Sequence, residues 1–148
     1  MVECSSELKY VKQIIEEEVI NYQPDKLDLI LPWRKNARLH FKLFNDYESF
    51  VDTIIKNHEQ MSVNELIKKS RKLHSNFYLA LITYNEIQDK TEEWFRFYIS
   101  FLSALFEWMA LSAEASAYYG DIERLARVVA NQEYLLCKIQ SAIKEYSE

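Results

Sequence analysis

Between Ser62 and Ser147 the chain contains no proline and a single glycine, Gly120. Proline removes a helical donor and glycine weakens a helix, so their absence over so long a stretch leaves the backbone free to run as helices. The whole chain of 148 residues has 1 Gly and 2 Pro. Hairpin turns and phosphate-cradling loops need positive φ, and residues suited to it are nearly missing. The expectation is an all-α fold: an up-down bundle of four to five long helices, with a helical hairpin in the C-terminal half. Residues 1–148 make a single domain, and a chain of this size buries about 70% of its unfolded surface.

Apolar spacing and capping residues mark the helices. Ser5 or Ser6 begins the first, with Leu8, Val11, Ile14 or Ile15, and Val19 on one stripe and Glu16, Glu17 and Glu18 on a solvated face. Pro24 ends it, and Pro32 bounds an irregular segment containing Leu27, Leu29, Ile30 and Leu31. A second helix spans roughly 34–58, with Ala37, Phe41, Phe44, Phe50 or Val51, Ile54 and Ile55 inward and a break near Asn45–Asp46. Ser62 and Glu65 form a capping box for a third, whose seam is Leu66, Ser70, Leu73, Phe77, Ala80, Tyr84 and Ile87. Asp89 or Thr91 caps a fourth that is apolar nearly all round, as a helix central to a core would be. Trp94, Phe101, Leu105 and Trp108 are its expected core residues. Gly120 closes it, and Asp121 caps a fifth with the seam Ile122, Leu125, Val129, Gln132, Leu136, Ile139, Ile143 and Tyr146. Gln132 is the one polar intruder in that seam, a place where a buried amide sets register or partner choice.

Net charge is −5, but the cations are blocked. Arg34, Lys35, Arg38 and Lys42 make +4 without an intervening acid, as do Lys68, Lys69, Arg71 and Lys72, which leaves −13 on the rest. Side by side, the two blocks would form a strip able to hold phosphates, with Trp33, His40 or Phe41 placed to stack on a base. Otherwise they are solvated charges pairing with the abundant acids.

Catalytic patterns are sparse. Di-iron bundles need Glu-x-x-His pairs, but Ala37, Ile55 and Arg71 stand three residues before His40, His58 and His74. No metal and no other cofactor is expected. Cys4 and Cys137 read as two unrelated reduced thiols. The segment Arg34-Lys35-Asn36-Ala37-Arg38-Leu39-His40 resembles the R-x(4–6)-H motif of the HEPN family of helical ribonucleases. That resemblance covers seven residues, early in the chain rather than on a late helix as is usual in the family. It implies metal-independent RNA cleavage at a dimer interface, with Arg34 and His40 as the catalytic pair.

The leading expectation is a non-enzymatic helical protein acting by protein–protein interaction. It would be a small subunit of a larger assembly, a virion or mobile-element protein, or an inhibitor of host machinery, by analogy of general build. The alternatives are a nucleic-acid-binding subunit of the kind found in CRISPR effector complexes, and the HEPN-like ribonuclease. Expected partners are another protein or a second copy, with nucleic acid through the basic strip as the variant. No membrane span and no small-molecule substrate is evident. An N-terminus without a basic or apolar leader reads as cytoplasmic, intracellular or virion-borne.

Overall fold

The computed structural model describes Cys4, residues 7–26 and residues 33–148. Its helices are α1 (Leu8–Ile15), α2 (Trp33–Leu43), α3 (Tyr47–Asn57), α4 (Val63–Ile87), α5 (Glu93–Tyr118) and α6 (Ile122–Ser147). Among the described residues there is no strand, and the fold is an all-α bundle. The caps expected at Ser5 or Ser6, and the segment with Leu27, Leu29, Ile30, Leu31 and Pro32, lie outside the described residues. The expected second helix is divided into α2 and α3, so the three long helices are α4, α5 and α6.

Local signals place the long helices well. Ser62 Oγ accepts from the Glu65 amide and Glu65 returns to the Ser62 amide, closing the capping box. Gly120 takes φ 68°, where a side chain would be strained. Its amide donates to the Ala117 carbonyl and that of Asp121 to Ser116, a Schellman closure that turns α5 back on α6. Asp121 then caps α6 by accepting from the Arg124 amide. At the start of α5 the expectation differs: Glu92 is the N-cap, and Thr91 Oγ1 donates instead to the Gln88 carbonyl at 2.6 Å.

The centre of the bundle is α6, not the more apolar α5. Helix α6 packs on α1, α3, α4 and α5, and 12 of its side chains are buried. The buried seam of α4 is the expected one from Leu66 to Tyr84. Of the four core residues expected on α5, only Trp94 is buried; Phe101 and Leu105 are half-buried and Trp108 is 65% exposed. On α2, Ala37 is exposed and Phe41 is 82% exposed, because Leu39 and Leu43 take the inward face. No described helix is long and apolar enough to cross a membrane.

Two buried polar residues of α6 tie it to its neighbours. Gln132 is fully buried, and its Oε1 accepts from Ser70 Oγ of α4 at 2.7 Å. Lys138 is 5% exposed and donates to Asp46 Oδ2 at 2.9 Å. Tyr134 donates to the other oxygen, Oδ1, at 2.6 Å. Asp46 stands at the N-cap of α3 but makes no side-chain cap, its carboxylate being turned to α6 instead. Partial burial would raise its pKa, but the bonds from Tyr134 and Lys138 outweigh that and hold it below the ordinary carboxyl value.

Cys4 and Cys137 form a disulfide, which corrects their reading as unrelated reduced thiols. The bond spans 133 positions and fastens the chain ahead of α1 to α6. Ser141 Oγ donates to the Cys4 carbonyl beside it. Glu18 is the other correction on this side, since it is buried at 8% rather than solvated.

Two measurements test this packing. Closing so long a loop stabilises by roughly 5 kcal/mol in the chain-entropy account, so the Cys4→Ser/Cys137→Ser protein should melt well below the oxidised chain, and oxidised wild type should lose stability on reduction. Equal melting temperatures would refute the bond's role. Because the Asp46 pKa is lowered in the fold, its contribution is present above the ordinary carboxyl pKa and is lost as pH falls through the folded value. Denaturant titrations should therefore show wild type more stable than Asp46→Asn at pH 6, with the gap narrowing toward acid; a gap that widens below about pH 4 would contradict the assignment.

Candidate functional site

The predicted catalytic pair does not converge within the chain. Arg34 and His40 are six positions apart on α2, which sets them about 120° apart around a helix axis. Arg34 is exposed. His40 is half-buried, edge-on to the rings of Phe44 and Phe101 at 5.4 and 5.0 Å. Burial pushes its pKa down, which favours the neutral ring.

The two basic blocks bond to different helices. Arg38 and Lys42 both reach Glu18, at 3.2 and 2.6 Å. The hydrogen bond from Lys42 is the main reason why that buried carboxyl stays below its usual pKa. Lys35 lies over the Tyr22 ring at 4.5 Å. On α4, Lys69 pairs with Glu133 of α6 at 3.4 Å and donates to Nε2 of buried His58, whose Nδ1 faces the Ala126 carbonyl. Arg71 grips Glu114 of α5 through two bonds of 2.9 and 3.0 Å. Arg34, Lys68 and Lys72 are exposed, with no ion pair among the described residues. Gln132 lies in the α4–α6 contact, inside the protomer; its Nε2 has no partner among the described residues.

Two features that sequence periodicity did not reveal stand out. The first is the outward face of α5. Ala104, Trp108, Leu111, Ala115 and Tyr118 recur at steps of four and three and are all exposed, flanked by half-buried Phe97 and Phe101. No charged residue lies on that stripe. The nearest acids, Glu107 and Glu114, sit on the flank toward α4, where His74 and Arg71 hold them at 2.9 Å. Leu111 is 69% exposed and Tyr118 83%. The signal was present in the sequence, since α5 is apolar all round, but which face is left over depends on where the other helices pack.

The second is a pocket of about 540 Å³ between α2, the α2–α3 turn, the start of α3, α5 and α6. Phe41, Phe44, Tyr47, Leu105, Met109 and Leu135 supply most of its wall. Its polar lining is His40, Asn45, Glu48, Asn131 and the hydroxyl-bearing ring of Tyr134. Tyr47 donates its hydroxyl to Asn131 Oδ1, which leaves the Asn131 amide nitrogen facing the Met109 sulfur at 3.7 Å. Among the described residues no group of three or more histidines, cysteines and acids is placed to hold a metal ion.

No family model, no curated protein and no solved structure matches this chain.

Proposed function

We propose that this protein works as a helical assembly subunit, binding a protein surface through the outward face of α5, with a second copy of the chain as the first candidate partner. The observation behind this is the charge-free exposed stripe through Trp108, Leu111 and Tyr118. Single exposed apolar residues are ordinary, but a contiguous patch is not. Counting Tyr119, the next residue along, at 81% exposure, the side chains present roughly 550 Å², since an aromatic buries about 150–250 Å² when covered. That is over half of the roughly 800 Å² per partner of a standard interface, and tryptophan and tyrosine are the residues that dominate interface energetics.

The nucleic-acid reading has less support. Arg38, Lys42, Lys69 and Arg71 are already ion-paired, and a phosphate would have to compete with those carboxylates. The ribonuclease reading draws none from the positions of Arg34 and His40 within one chain. For location, the Cys4–Cys137 bond favours an oxidising compartment or the cytosol of a hyperthermophile over an ordinary reducing cytosol.

Light scattering across a concentration series should show a species of twice the 17.7 kDa chain mass. Trp108→Glu with Leu111→Glu should return it to monomer while leaving the circular dichroism unchanged, because exposed positions away from special features alter stability by only about 0.5 kcal/mol. A wild type that is monomeric at every concentration would refute self-association through this face.

A further inference from the structure

We propose that the cavity between α2, α5 and α6 binds a small neutral molecule: an aromatic or alicyclic ring carrying a carbonyl or ether oxygen. Its volume, about 540 Å³, falls within the roughly 300–1,000 Å³ of small-molecule sites. The space opens to solvent past Phe41, Asn45 and Glu48, and side chains from four helices and the α2–α3 turn wall it.

The wall chemistry selects the ligand. Phe41, Phe44 and Tyr47 offer ring surfaces, while Leu105, Met109 and Leu135 close the aliphatic side. No lysine or arginine lines the cavity, and Glu48 is the one formally charged lining residue. An anion would meet a carboxylate and find no cation. The His40 ring, desolvated against Phe44 and Phe101, adds no positive charge near neutral pH.

Asn131 gives the site a direction. Its Oδ1 is taken by the Tyr47 hydroxyl, so its NH₂ group points the other way, toward Met109 Sδ. Reversing the amide would set its carbonyl oxygen against the thioether, two acceptors face to face. A thioether is a weak acceptor, so the amide donor is poorly used. A ligand oxygen there would receive a full hydrogen bond while its ring packed on the aromatic wall. This site does not depend on the assembly reading, because its donor lies on α6 rather than on the outward face of α5.

Three probes of similar size separate the possibilities: acetophenone, ethylbenzene and benzoate, each titrated into the ¹⁵N-labelled full-length chain and followed by amide chemical shifts. Acetophenone should give saturable shifts around residues 105–109 and 131–135 and at the Asn131 side-chain amide. It should bind about fivefold more tightly than ethylbenzene, the effect of one neutral hydrogen bond. Benzoate should bind weakest. Asn131→Leu should abolish the preference for the ketone and keep ethylbenzene binding. Leu105→Trp, which fills the space, should abolish both; Met109→Phe serves if that variant fails to fold. The proposal is overturned if acetophenone gives no saturable shifts, if it binds no better than the hydrocarbon, or if benzoate binds best. It is equally overturned if the probes bind only after dilution below a dimer's dissociation range, since a side chain of the second copy would then be the occupant.

Discussion

Helix α6 is central with two buried polar residues, and each is met from another element, Gln132 through its Oε1 alone. An amide or an ammonium without a partner inside a core costs more than most single apolar contacts contribute. Ser70 meets Gln132 and so sets the level of α4. Asp46 meets Lys138 and so sets the start of α3. Because Asp46 also accepts from Tyr134, the break between α2 and α3 is held against α6 rather than left as a loose turn. Apolar side chains tolerate small slips, whereas these bonds do not, so they give the bundle its register.

That arrangement decides what remains outside. With α4, α6 and α1 packed around α5, and the α2 rings of His40 and Phe44 meeting Phe101, the stretch of its outward face toward the C-terminus is left uncovered by the described residues. Its aromatic and aliphatic side chains stay in solvent from Ala104 to Tyr118. The cavity arises beside it, where α2 turns away at residues 44–46 and its aromatic side chains lean toward α5 without filling the gap. An exposed apolar face and a partly filled pocket are costly in a protein with no partner and no ligand, and both lie on the side that α2 covers incompletely.

The cations show how charge is spent on structure. One acid, Glu18, is buried deeply enough that two cations are needed around it, and Arg38 and Lys42 provide them. Lys69 likewise serves the end of α3, through His58, as well as Glu133 of α6. Two cations of each block are thus engaged with carboxylates of the protein's own neighbouring elements. Surface pairs such as Arg71 with Glu114 add little stability, but they keep the acids of α5 on the α4 flank and off its apolar stripe.

The helices themselves were legible without coordinates, because helix formation is governed by residues within one or two turns. Ser62 with Glu65, Gly120 with Asp121, and the seams from Leu66 to Tyr84 and from Leu125 to Ile143 are all local patterns, and all are realised. The inward position of Gln132 was legible for the same reason. What the sequence could not decide is which elements meet. Hydrophobicity pointed to α5 as the central helix, yet α6 is central, since burial depends on how many neighbours a helix has and not on how apolar it is. The same ignorance of partners hid the burial of Glu18, the exposure of Trp108, the cavity, and the meeting of Cys4 with Cys137 across 133 positions. Periodicity determines the face that a helix offers; only the tertiary packing determines whether anything covers it.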